Sequence, residues 1–201
     1  MLTFDEKKLV ADLERLPRPL RVAFAAACAE RQMPAYRAFV SEHHIEKSDA
    51  LDQALHDAWE NPTKRDRMEL QQQLQKCMAL IPREDVVQPW TEGATYAQNA
   101  GISVAYTLRA RIGGEAQDAA WSARVAYESL DHFVINRENI DTNHPGGEAR
   151  VLSHSLVQGE LLRQRRDLDE LLSGADRDTQ QMVAQLRSRA GKEAALFFAP
   201  T

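Results

Sequence analysis

Leu70, Leu74, Cys77, Met78 and Ile81 fall at i, i+4, i+7, i+8 and i+11, a spacing that lines them along one side of an α-helix. The same period returns along most of the chain: Leu9, Leu13 and Leu16; Leu51, Leu55 and Trp59; Val183, Leu186, Ala190 and Ala194. No stretch alternates apolar and polar residues for a strand's length, and Val86-Val87 is the longest Val/Ile pair. Alanine (29) and leucine (21), the two best helix formers, dominate, while 9 glycines and 8 prolines are too few for the many turns of a sandwich. The chain therefore reads as all-α.

Punctuation divides it. Thr3 and Glu6 form a capping box for a first helix that Pro17 and Pro19 end. Leu20, Phe24, Ala27, Cys28 and Arg31 mark a second, and Pro34 suits the first turn of a short third carrying Tyr36, Phe39 and Val40. Ser48 caps a fourth, stopped at Asn61-Pro62; Thr63 and Asp66 open a fifth that ends at Pro82. A sixth runs from about Trp90 to Ile112, and its small residues (Ala94, Ala97, Ala100, Gly101, Ser103, Ala105) suggest a central place with close neighbours. Gly113-Gly114 stops it. A seventh carries Ala119, Ala123, Ala126, Leu130 and Val134, and the polar stretch Arg137–Gly147 follows as a loop. An eighth spans Val151 to Leu172, and a ninth bears Val183 to Phe197. The expectation is one all-helical domain over residues 1–201, about nine helices in antiparallel pairs, as a bundle or a short solenoid-like array with no sheet.

Composition narrows function by exclusion. With 25 Lys and Arg against 30 Asp and Glu, the formal charge is −5, which disfavours phosphate-backbone binding and hence a nucleic-acid partner. Two cysteines, Cys28 and Cys77, make neither a disulfide framework nor a four-cysteine zinc site. Mean hydropathy is −0.50 and no long apolar run occurs, so no membrane span is expected. The apolar segment Val22–Ala29 is preceded by Asp5, Glu6, Asp12 and Glu14, unlike the short basic start of a signal peptide, so a cytoplasmic location is expected.

Candidate chemistry is sparse. Adjacent His43 and His44 point about 100° apart on a helix. Asp52, His56 and Glu60 share a helix face and could form half of a metal site, but a polar face beside the Leu51-Leu55-Trp59 stripe is the commoner meaning of that pattern. Glu128 and His132 are four apart with Asp131 near, whereas a di-iron bundle uses Glu-x-x-His repeated on a second helix. His154 lies between Ser153 and Ser155, and sequence neighbours on a helix do not face one another. Gly113-Gly114 lacks the Lys-Ser/Thr of a P-loop, and Glu148 after Gly146-Gly147 repels an anion. Arg163, Arg165 and Arg166 are each followed four residues on by an acid (Asp167, Asp169, Glu170), which predicts a solvated, self-neutralised face. Arg15, Arg18 and Arg21 could make a small basic patch, and Trp90, Trp121 and Tyr106 either line a groove or fill the core.

Several strings in order resemble a known family: Leu13-Glu14-Arg15-Leu16, Cys28-Ala29-Glu30-Arg31 followed by Pro34 and Tyr36, Trp59-Glu60, Ile81-Pro82, and the small-residue helix with Ser103 and Leu108. They resemble the bacterial YjaG-like family, whose members are of about this length, from about Leu13 to Phe198, with a departure over Arg137–Gly147. The resemblance implies an all-helical cytoplasmic protein and brings no reaction, so no catalytic, cofactor or metal residue is transferred. The expected function is a non-enzymatic helical interaction or regulatory protein whose partner is another protein or a second copy of itself. The alternative is a metal-dependent or small-molecule helical enzyme, which needs Asp52, His56, Glu128 and His132 to converge.

Overall fold

The computed structural model describes residues 1–45, 49–62, 66–174 and 178–197. Among these, nine α-helices and no strand occur: α1 (Glu6–Glu14), α2 (Arg18–Glu42), α3 (Ala50–Glu60), α4 (Arg67–Leu80), α5 (Glu92–Gly113), α6 (Ala116–Glu138), α7 (Gly147–Ser153), α8 (Ser155–Ser173) and α9 (Thr179–Ala194). The expected count is met by one fusion and one division. Pro34 does not start a helix; α2 runs through it for 25 residues. A proline inside a helix costs about 3 kcal/mol, and here Met33, Tyr36 and Phe39, all buried, hold the helix together across it. The expected eighth helix is divided at His154, whose backbone is extended (φ −64°, ψ 139°) and whose Nδ1 accepts from the Leu156 N–H as an N-cap.

Caps explain most other boundaries. Asp5, not Thr3, caps α1 by accepting from Lys8 N. Asp66 caps α4 through Glu69 N, and Thr91 caps α5 through Ala94 N. The expected caps Ser48 and Thr63 lie outside the described residues. Gly114 ends α5 with φ +80°, a left-handed conformation that glycine adopts without strain. Arg18 and Arg21 do not form a free basic patch. They donate to the last carbonyls of α5, Ile112 O and Gly114 O, placing positive charge at the negative end of that helix. Arg15 pairs with Asp12.

The helix at the centre is α2. It packs against α3, α5, α6, α8 and α9, and its alanines (Ala23, Ala25, Ala26, Ala27, Ala29) are wholly buried. Small side chains on α2 let neighbours approach from several directions, and α5 brings its own small face to it. Ala94, Ala97, Ala100, Gly101 and Ser103 are buried, and a Cβ on Gly101 would lie 2.8 Å from Ile81 Cγ1 and 3.2 Å from Leu51 Cδ2. The contacts Tyr96–Phe133, Tyr106–Trp121 and Arg109–Asp118 step in opposite directions along α5 and α6, so the two are antiparallel. Ser103 and Ser122 hydroxyls meet at 2.7 Å between them, and Ser122 also donates to Ala25 O of α2.

Polar residues occupy the interface of α2 with α8 and α9. Arg31 and Glu160 are 0% exposed and Asp167 1%. The Arg31 guanidinium donates through Nε (3.0 Å) and Nη2 (2.9 Å) to Glu160 and through Nη1 (2.9 Å) to Asp167. Glu193 of α9 stands 3.6 Å from it. Asp167 also accepts from Arg166 and Arg189, Arg166 from α8 reaches Glu193 at 2.6 Å, and Arg189 reaches Glu170 at 2.7 Å. Gln164 joins Glu160 to Ala123 O of α6. The expected solvated face is thus largely wrong. Only Arg165–Asp169 forms as an exposed pair four residues apart, because Glu160, Gln164 and Asp167 share the side of α8 that carries Val157, Leu161, Leu168 and Leu171 into the core. Burial alone would lower the pKa of Arg31, and the charges of Glu160 and Asp167 more than reverse that. Cys28, beside Arg31, is the small core residue expected; burial raises its thiol pKa, which suppresses the thiolate.

Two outcomes follow. Arg31→Leu leaves two buried carboxylates without their guanidinium and should lower stability by about 3–5 kcal/mol, read from urea midpoints. Gly101→Leu should cost about 1–3 kcal/mol by overpacking against Ile81 and Leu51.

Candidate functional site

A cleft of about 700 Å³ opens where α9 crosses the end of α3 and the start of α2. That volume lies within the range of pockets that hold small ligands or the anchor of a peptide, about 300–1,000 Å³. Its apolar surface comes from Pro19, Trp59, Pro62, Val183 and Ala184, and Gly191 leaves open space above it. Among the described residues its charged lining is Glu30, Glu60, Asp178 and Arg187, three carboxylates to one cation.

Local sequence builds this arrangement. The Leu51-Leu55-Trp59 stripe turns α3 onto α2, leaving Trp59 only 4% exposed at the base of the cleft. Its indole Nε1 donates to Glu30 Oε2 at 3.1 Å, a pairing that keeps Glu30 of α2 against α3. Asp178 caps α9 by accepting from Gln180 N, and Val183 and Leu186 seat α9 on the core. Arg187, one turn beyond Val183, crosses to α3. It donates to Glu60 and, through Nη2, to His56 Nδ1 at 3.0 Å.

The sequence-derived metal candidates fall in two separate groups, one on α3 and one on α6, and each is engaged by another side chain. Asp52 accepts from Arg37 Nη2 at 2.7 Å, His56 and Glu60 hold Arg187, and Glu128 accepts from Arg124 at 2.7 Å. His132 contacts Asn136 at 3.0 Å and the Tyr96 ring, whose phenol is pushed up to about 12 by burial and by Glu92. Helix α3 packs on α2, α4, α5 and α9, whereas α6 packs on α1, α2, α5, α7 and α8, so the two half-sites belong to different parts of the bundle. Among the described residues no three His, Cys, Asp or Glu side chains are grouped to hold a metal. His43 stacks on Phe39, and His154 is the helix cap already described.

Tyr106 and Trp121 are neither a groove nor deep core. They are half-buried, with ring centroids 5.3 Å apart, and the Arg109 guanidinium lies 5.5 and 5.3 Å from the two rings. Arg109 Nε also meets Asp118 at 2.8 Å. Trp90 donates to Thr95 beside the start of α5. Arg111 is fully buried and donates to Asn61 O at the end of α3. Burial lowers its pKa.

Sequence alone did not point to this cleft. Glu60 and His56 were visible as a polar face, but Arg187 and Val183 are some 130 residues away, as the separation of 131 between Arg187 and His56 records. The one signal was Trp59, a large aromatic at the end of a short helix.

Known proteins bear on the fold more than on the site. A family model described as "Protein of unknown function (DUF416)" matches residues 8–195. The chain belongs to the DUF416 family. A crystal structure of a DUF416 family protein from Shewanella baltica OS155 superposes with a TM-score of 0.77 at 19% identity, covering 91% of this chain and 93% of that one. At that identity the DUF416 structure supports the helical arrangement alone. No curated protein matches the chain. Among the described residues no helix is long and apolar enough to cross a membrane.

Burial raises the Asp118 carboxyl pKa above its usual range despite Arg109. A folded-state pKa above the unfolded one means that the folded chain binds more protons, so this group favours folding at low pH. Its contribution falls as pH rises from about 3.9 through the raised value. Asp118→Asn should flatten that decline, followed by urea midpoints between pH 3 and 6.

Proposed function

We propose that this DUF416 protein is a non-enzymatic helical binding module, and that its cleft between α3 and α9 receives a basic segment of another protein through an apolar anchor. The observation that carries this reading is the cleft's composition among the described residues: an apolar base of Trp59, Val183 and Ala184 beneath a lining with three carboxylates and one arginine. An apolar residue would gain from leaving water there, and flanking Lys or Arg would meet complementary charge. The engagement of Asp52, His56, Glu128 and His132 with partners in separate regions favours this reading over a metal enzyme. The strings at Leu13–Leu16, Cys28–Arg31 and Trp59-Glu60 support the narrower YjaG-like assignment and, with it, a bacterial cytoplasmic setting.

The test is a photo-crosslinking residue at position 184, exposed inside the cleft. The crosslinked peptides should come from one partner, with Lys or Arg beside a large apolar residue. Ala184→Arg, read by a crosslinker at Gln180, should abolish the product while leaving the melting temperature unchanged within about 2 °C, as expected for a surface substitution. Crosslinks scattered over unrelated acidic or polar peptides, or undiminished in Ala184→Arg, would contradict the reading.

A further inference from the structure

The three carboxylates that line the cleft are not equally available. Glu30 accepts from the buried Trp59 indole and is itself only 19% exposed. Asp178 caps α9 through the Gln180 N–H. Glu60 is 50% exposed, and its partner among the described residues is Arg187, itself 37% exposed and also lining the cleft. An exposed ion pair of this kind adds little net free energy, because water competes for both groups. The second bond of Arg187, to His56 Nδ1, lies on the surface too. Helix α9 does not need either bond to stay in place: Val183 and Leu186 are buried beneath it, and Arg189–Asp167 and Arg166–Glu193 tie it to α8.

We propose that Arg187 is an internal competitor for the Glu60 carboxylate, and that the cleft selects an arginine in its partner, whose guanidinium takes the place of Arg187 on Glu60. This rests on the reading of the cleft as the docking site of a basic segment, and narrows the basic residue to arginine. The exchange trades one guanidinium–carboxylate pair for another and releases Arg187 to water. Affinity then comes from the apolar anchor over Trp59 and Val183, and Arg187 lowers it by the strength of one exposed pair. Selectivity follows from shape. A guanidinium offers a planar fork of N–H groups that matches a carboxylate with two parallel bonds, whereas an ammonium meets it as a point charge. A segment bearing lysine would have to break an arginine pair to form a weaker one.

Fluorescence anisotropy of two labelled peptides on the full chain reads the exchange, one with the sequence Gly-Arg-Leu-Arg-Gly and one with lysine in place of both arginines. The arginine peptide should bind Arg187→Met about threefold more tightly than the natural chain, the scale of one exposed pair, and the lysine peptide should gain less. Arg187→Gln should behave in the same way. A gain that came only from removing a positive charge would persist in Glu60→Gln, whereas exchange predicts that Arg187→Met adds nothing in that background. No binding of the arginine peptide, equal gains for the two peptides, or a gain that survives in Glu60→Gln would overturn the proposal. A single crosslinked partner at position 184 alongside any of those results leaves the docking reading standing, and scattered crosslinks remove that reading whatever the peptides do.

Discussion

A guanidinium sealed from water must be answered entirely by protein oxygens, and Arg31 imposes that demand at the middle of the longest helix. Glu160 and Asp167 of α8 answer it, Glu193 of α9 approaches, and Arg166 and Arg189 balance the acids in turn. A buried ionic cluster need not stabilise more than apolar packing of the same shape would, because desolvation offsets most of the attraction. Its consequence here is positional. Carboxylates on two helices can all reach one arginine only when α8 and α9 stand at a single rotation and height against α2. An apolar interface of alanine and leucine would tolerate slippage that this one does not.

The cleft depends on that fixed placement. Helix α9 meets α3 chiefly through Arg187, which reaches Glu60 and His56, and its main seat is α2. Asp167–Arg189 and Arg166–Glu193 therefore do more than neutralise charge. They set the turn of α9 that points Val183, Ala184 and Arg187 toward the end of α3. The same helix is thus held by two kinds of contact, the buried charge that Arg189 and Glu193 meet and the apolar seat of Met182, Val183 and Leu186.

The fold was legible because helical period and proline, glycine and cap positions are local signals. Gly114 and Asp66 sat where the sequence put them. Pro34 misled because a propensity cost of a few kcal/mol yields to burial of Met33, Tyr36 and Phe39 on either side, which a local pattern does not reveal. The acidic and basic string of α8 misled for a related reason. Charges four apart look the same whether they pair with each other or with a third helix, and only the stripe Val157, Glu160, Leu161, Gln164, Leu168 hinted that polar groups had taken core positions. The cleft was illegible because its two walls come from distant parts of the chain. His56 and Glu60 entered as a metal half-site, and the cation that Arg187 brings to them is visible only once α9 is folded over α3.

The central claim is that Arg31 fixes α8 and α9 in place while the α5–α6 hairpin stands on its own small-residue packing. Native-state hydrogen exchange on Arg31→Lys tests it most directly, since lysine keeps the charge but loses the planar fork that serves Glu160 and Asp167 together. The account predicts that α8 and α9 lose protection together, while α5 and α6 retain theirs. Equal loss across all helices, or unchanged protection in α8 and α9, would contradict it.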